Sequence, residues 1–143
     1  MYQGSFSISM DAKGRLAIPA KVREALQSDC SGNIVVTANP DDKCLVAYPR
    51  PRWLEKLPDI KRLPNSNKKA AKMKRALIGY ATELEVAESN GRVLIPPTLR
   101  EFAKLEKKVV LVGQDDYLEI WDEQRWQAYL DDEDEGEMPD FSF

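Results

Sequence analysis

A fourteen-residue stretch occurs twice in this chain, and that duplication constrains the fold more than any other feature. The first copy runs Asp11-Ala12-Lys13-Gly14-Arg15-Leu16-Ala17-Ile18-Pro19-Ala20-Lys21-Val22-Arg23-Glu24. The second runs Glu88-Ser89-Asn90-Gly91-Arg92-Val93-Leu94-Ile95-Pro96-Pro97-Thr98-Leu99-Arg100-Glu101, aligned without a gap at an offset of 77. An acid, Gly-Arg, Ile-Pro, an aliphatic residue and Arg-Glu coincide. The echo continues with small shifts: Ile34–Val36 answers Val109–Leu111, Leu45–Tyr48 answers Leu118–Trp121, and Arg52-Trp53 answers Arg125-Trp126. Two copies are too few for a solenoid, which needs about three stacked units. A pseudo-twofold pair is expected, each half covering the other's apolar face.

Each copy reads as strand, tight loop, strand, short helix, strand, strand. Phe6 to Met10 alternates apolar and polar residues, as a half-buried strand does. Asp11 to Gly14 is a turn signal, because Gly14 accepts positive φ and an Asp carboxylate bonds backbone N–H groups two residues on. Leu16 to Ile18 is a second strand, and Pro19 suits a first helical position. A short helix follows through Leu26, then a loop over Asp29 to Asn33. Strands follow at Ile34–Thr37 and Cys44–Tyr48. Pro49-Arg50-Pro51 reads as a break before a short helix from Trp53 through Leu57. In the second copy Thr82–Val86, Arg92–Ile95, Val109–Val112 and Tyr117–Trp121 are strands. A helix opens at Pro96-Pro97 and runs through Leu105, and Asp122 caps a last one at Glu123–Leu130. Trp53 and Trp126 hold matched positions and read as core anchors.

The link between the copies differs. Ser66 or Asn67 can cap a helix from Lys68, with Ala70, Met73, Leu77, Tyr80 and Leu84 near the helical period. Between Lys61 and Arg75 there are seven bases and no acid. Lys68, Lys69, Lys72 and Arg75 form either a solvated face or a polyanion contact. The stretch Asp131–Phe143 holds seven acids and no base, so the remaining residues carry +4 although the chain totals −3. That asymmetry fits a polyanion partner, an interaction tail or both, or else plain solubilisation. The tail reads as loosely held.

Several classes are excluded. The chain has no histidine, which removes Ser-His and Cys-His nucleophilic chemistry and the commonest zinc ligand. There is no GxxxxGK phosphate loop, so no enzyme, cofactor or small-molecule substrate is expected. Cys30 and Cys44 form no CxxC, and Cys44 reads as a small core residue in a strand. No apolar run approaches a membrane span, and no basic start leads into an apolar run, so a cytoplasmic protein without a secretory signal is expected.

The repeated loop carries the candidate chemistry. Asp11 orders its backbone, Gly14 turns it, and Lys13 and Arg15 project beside the tip. Exposed Arg and Lys on a rigid loop suit phosphates by charge and guanine edges by bidentate hydrogen bonds. The competing reading is a local staple, with Arg15 paired to the Asp four residues back.

Gly4 to Ile18, the paired Gly-Arg-(Leu/Val)-x-Ile-Pro stretches, and Leu111 to Asp122 together resemble the MraZ family. The resemblance covers about Met1 to Trp126. It implies an α+β, β-rich fold: two SpoVT–AbrB-like modules forming a duplicated, swapped-hairpin β-barrel pseudo-dimer with short helices. The expected division is module one at 4–54, a basic linker with an amphipathic helix at 55–80, module two at 81–126, and an acidic tail at 127–143. The resemblance further implies a nucleoid-associated DNA-binding regulator, usually a repressor, of the division and cell-wall gene cluster. It would assemble as a homo-oligomeric ring on short tandem G-rich repeats in its own promoter. DNA contact maps onto Lys13, Gly14 and Arg15, with Asp11 ordering the loop. The second copy maps onto Asn90, Gly91 and Arg92, with Glu88 where the family expects Asp. Glutamate caps backbone N–H groups less well and Asn90 replaces the Lys, so Lys13 and Arg15 rank above Asn90 and Arg92. A ring that binds partner proteins through its tail and tryptophans is the alternative. A toxin-neutralising module is a further one, by fold analogy.

Overall fold

Apolar strands that alternate every second residue must bury one face, and here each half buries its face against the other. A computed structural model of the chain describes residues 1–133 and 136–143. In chain order the elements are β1 (Ser5–Ser9), β2 (Arg15–Ala17), α1 (Ala20–Cys30), β3 (Asn33–Asn39), β4 (Cys44–Pro49), α2 (Arg50–Lys61) and α3 (Lys68–Gly79). The second half continues with β5 (Thr82–Glu85), β6 (Arg92–Leu94), α4 (Pro97–Ala103), β7 (Lys108–Gly113), β8 (Leu118–Asp122) and α5 (Glu123–Asp131).

Six strands form one antiparallel sheet in the order β1-β7-β8-β4-β3-β5, and β2 pairs β6 in a separate ribbon. Exchanging equivalent strands reverses this order and leaves it unchanged, which is the signature of a twofold pair. The edge strands are swapped: β1 of the first copy pairs β7 of the second, and β5 of the second pairs β3 of the first. The circuit closes through hairpins, since β1 turns into β2, β2 pairs β6, and β6 leads back to β5. This is the expected swapped-hairpin pseudo-dimer. Its axis passes through two pairs of equivalent residues, Leu16 with Val93 in the ribbon and Val46 with Glu119 between β4 and β8.

The main core lies between sheet and ribbon. Leu16 and Ile95 are fully buried there, with Leu26 and Leu99 from the two short helices and Val36 and Leu111 from the sheet. The opposite face of the sheet is covered by α2 and α3 over Val35, Val46 and Tyr48, and by α5 over Val110 and Val112. Trp53 is buried and Trp126 packs edge-on against Trp121 at 5.3 Å. Cys44 is buried in its strand, burial pushes its thiol pKa far up, and both cysteines are free thiols.

Three local expectations change. Helix α2 starts at Arg50 and runs to Lys61 rather than spanning Trp53–Leu57. Pro51 falls in the first turn, where its missing N–H costs nothing. The helix continues past Pro58 because Trp53 and Ile60 both bury against the sheet. Helix α1 extends to Cys30, ending at Ser31 in the left-handed conformation, and Pro19 is its N-cap rather than its first residue. Helix α4 stops at Ala103, with Lys104 left-handed and Leu105 buried just beyond. Helix α3 begins where expected: the Asn67 side chain accepts from the Ala70 N–H at 3.0 Å. Leu77 packs against the cluster on the sheet and Met73 is half-buried, but the buried alanine is Ala71, on the lysine side, rather than the expected Ala70. Thr37 Oγ1 donates to the Leu77 carbonyl at 2.6 Å. Of the acidic tail, residues 134 and 135 lie outside the described residues, and the rest are exposed, including Phe141 and Phe143.

Candidate nucleic-acid interface

The loop between β1 and β2 is held by one carboxylate. Asp11 Oδ1 accepts from the Lys13 N–H at 3.0 Å and the Arg15 N–H at 2.9 Å, and Oδ2 accepts from Arg15 Nε at 2.6 Å. The backbone closes with the Asp11 N–H to the Arg15 carbonyl and the Gly14 N–H to the Asp11 carbonyl, both at 3.0 Å. The Arg15 backbone bond, its side-chain bond and the Lys13 N–H outweigh desolvation, and hold the Asp11 pKa down to about 2. Both readings of Arg15 are therefore compatible. The staple takes Nε, while Nη1 and Nη2 make no hydrogen bond among the described residues, and the side chain is 40% exposed. Those two terminal groups are the pair that a guanine edge or a phosphate engages. Lys13 is exposed at the tip.

The second loop is built differently. It closes from the Ala87 N–H to the Arg92 carbonyl at 2.9 Å, spanning one residue more than the first. The ungapped repeat conceals this, and the backbone counterpart of Asp11 is Ala87. Glu88 is exposed and its carboxylate accepts no hydrogen bond among the described residues, so it does not take the place of Asp11. The ordering role falls to Asn90, whose Oδ1 accepts from the Arg92 N–H at 2.9 Å. Asn90 is neutral and accepts one backbone N–H, where Asp11 accepts two and an arginine Nε besides. Arg92 is exposed and its guanidinium has no partner among the described residues.

The ribbon brings the two arginines onto one surface. Leu16 and Val93 face the core, so Arg15, Ala17, Arg92 and Leu94 face outward, Leu94 being 53% exposed. Arg15 stands opposite Leu94 and Arg92 opposite Ala17, which puts the arginine Cα atoms about 8 Å apart on strand geometry. Each loop also docks on the other copy. The Ile95 N–H donates to the Gly14 carbonyl and the Ile18 N–H to the Gly91 carbonyl, both at 2.9 Å.

Two arginines that the site reading passed over complete the arrangement. Arg100, on α4, lies across Gly14, where an added Cβ would sit 2.6 Å from its Nε. The same Nε donates to the Ile95 carbonyl at 2.9 Å. Arg23, on α1, lies across Gly91, where a Cβ would sit 2.6 Å from its Cδ. Both glycines have positive φ (+93° at Gly14, +66° at Gly91), and at each an added Cβ would push aside an arginine from the other copy. The signal was present in the sequence as the Arg-Glu step that closes both copies. The first loop therefore gathers Lys13, Arg15 and Arg100. Beside it Glu83 and Glu85 of β5 line the same depression, so the cationic surface is bounded by acids on one side.

The family model described as "MraZ protein, putative antitoxin-like" matches this chain twice, over residues 1–76 and 77–140. The chain belongs to the MraZ family. A protein of Saccharophagus degradans named transcriptional regulator MraZ is 54% identical over 140 residues, covering 97% of this chain and 95% of its own. Proteins of the same name from Marinobacter nauticus and Halorhodospira halophila are 51% and 49% identical, over 91% and 89% of this chain and 87% and 83% of theirs. The two matched segments of the MraZ model correspond to the two halves that the sheet relates by twofold exchange. Among the described residues no group of His, Cys, Asp and Glu could hold a metal, and no helix is long and apolar enough to cross a membrane.

Proposed function

We propose that this MraZ-family chain is a transcriptional regulator that reads DNA with the β1–β2 loop. The observation that carries the reading is Arg15: Asp11 fixes its Nε, while its two terminal amines make no hydrogen bond among the described residues and the side chain is half-exposed on an ordered loop. Holding a long side chain before binding removes about 0.5–1.5 kcal/mol of ordering cost. Lys13 and Arg100 supply phosphate charge nearby. Asn90, Gly91 and Arg92 form the weaker second loop. The units are the modules at 4–54 and 81–126, joined by the basic linker 55–80 and followed by the acidic tail 127–143.

One loop with two or three cationic contacts binds DNA weakly and in a salt-sensitive way. A homo-oligomeric ring that places several loops on tandem G-rich repeats gains a factor of about 10² to 10⁴ by avidity. The target is the chain's own promoter at the head of a division and cell-wall gene cluster, the action repression, and the place the nucleoid. No cofactor or substrate is needed.

The test is binding to the upstream promoter fragment and to a scrambled fragment, by wild type and Arg15→Ala, with size followed by light scattering. Wild type should prefer the promoter, and Arg15→Ala should lose that preference at unchanged size. If both proteins bind the two fragments equally, or neither, the loop is only a staple and a protein-interaction ring becomes the better reading.

A further inference from the structure

We infer that the exposed face of α3 is a second nucleic-acid contact, a sequence-independent site for duplex phosphates. Helix α3 lies in the stretch of seven bases without an acid. Lys68, Lys69, Lys72 and Arg75 are exposed along it. Arg15, Arg50, Arg52 and Arg62 each hold a carboxylate, yet no base of α3 joins an ion pair among the described residues. Lys68, Lys72 and Arg75 line a groove of about 620 Å³ with Asn65, Ser66 and Tyr80. Their spacing of four and three residues puts them in one row about 10 Å long at 1.5 Å per residue. That is the axial rise of about three nucleotides at 3.4 Å per step of one strand.

The row is rigid. Asn67 caps the helix, and Thr37 ties the Leu77 carbonyl to the sheet. Its charge has no competing acid within the helix, so it complements a polyanion along its whole length. The rival occupant is the chain's own acidic tail, whose described acids are exposed. A duplex is favoured because the row is straight and the groove open. Position adds a consequence. Helix α3 packs on the face of β3 that carries Val35 and Thr37, whereas the ribbon with Arg15 packs on the face that carries Ile34 and Val36. Helix α3 and the ribbon thus lie on opposite faces of the sheet, so the α3 row is a contact separate from the loop.

This inference rests on the DNA-binding reading, and the experiment separates the two. The full chain is compared with a Lys68→Gln, Lys72→Gln, Arg75→Gln variant on promoter and scrambled duplexes, by fluorescence anisotropy over a salt series. The same pair is then measured with the tail acids changed to their amides. Affinity for both duplexes should fall by the same factor, tenfold or more at low salt. The slope of log affinity against log salt should shrink by about two to three, near 0.9 per lost phosphate contact, with promoter preference, oligomer size and Tm unchanged. If wild type binds DNA and the variant matches it in affinity and slope, the α3 site is wrong and the loop reading stands. An effect that emerges only once the tail is neutral makes the tail the occupant and overturns the proposal. Wild type binding neither duplex instead overturns the DNA reading itself.

Discussion

The two loops descend from one motif, yet they are held by different chemistry. In the first, a single carboxylate accepts two backbone N–H groups and an arginine Nε, so a charged side chain is fixed in an ordered turn. In the second, one extra residue displaces the acid, and a neutral amide makes a single backbone bond. What both keep is the glycine, the following arginine and the arginine of the other copy that lies on the glycine. The shared features maintain the twofold frame, while the differing ones set how firmly each Gly-Arg arginine is presented. The first loop is built to hold an arginine in place and the second to hold a turn.

The largest effect tests whether the halves are one unit. Leu16→Ala empties the ribbon side of the twofold axis at a fully buried position, and should cost about 2–5 kcal/mol in urea denaturation. Because the hairpins are swapped, unfolding should remain one cooperative transition. Two separated transitions would mean that the modules fold independently, and the comparison would then be between two domains.

The glycines come next. Gly14 at φ +93° lies outside the left-handed region that L-residues tolerate, whereas Gly91 at φ +66° lies within it. Gly14→Ala should therefore destabilise by about 1–3 kcal/mol and Gly91→Ala by less. Arg100→Ala should recover part of the Gly14→Ala loss by vacating the space, and thermal melts of the four variants measure this. Equal costs at the two glycines would mean that arginine crowding, not φ, dominates.

In DNA binding, Arg15→Ala should lose about 10- to 100-fold of promoter preference, as one bidentate base contact supplies about 1–3 kcal/mol. Arg92→Ala should lose only a few-fold. An equal loss would show that fixing Nε is not what makes an arginine a reader.

The smallest effect is in acid. The folded Asp11 carboxyl is depressed to about 2, so its contribution is complete above the ordinary carboxylate range near pH 4. It is lost as pH falls through about 2, when the unfolded and folded forms protonate in turn. The Lys13 and Arg15 amide resonances should shift over that window in wild type and not in Asp11→Asn. Glu88→Gln should change nothing at any pH, since Glu88 orders no backbone.

Much of this was readable in the chain. The repeat announced the twofold pair, the alternation at Phe6–Met10 gave a strand, and a cap was visible at Ser66 or Asn67, of which Asn67 serves. Asp11 and Gly14 carried their own turn chemistry, because both act within four residues. The extra residue of the second loop was not readable, since the repeat aligns without a gap and only the pairing of Ala87 with Arg92 exposes it. Helix α2 outran its prolines because burial of Trp53 and Ile60 lies outside local propensity. Arg23 and Arg100 were seen as repeat markers, but not as neighbours of Gly91 and Gly14.

By itself the sequence determined the duplicated plan, the turn that presents Arg15, and the separation of charge between α3 and the tail. Each is fixed by composition or by contacts a few residues long. Only the tertiary structure decided that the hairpins exchange partners, that each loop rests on the other copy's strand end and arginine, and that α3 and the ribbon pack on opposite faces of the sheet. Those outcomes depend on pairings between residues 46 (Val36 with Thr82) to 107 (Ser5 with Val112) positions apart, which no local pattern specifies. They follow from the one arrangement in which both apolar faces close on each other about a common axis.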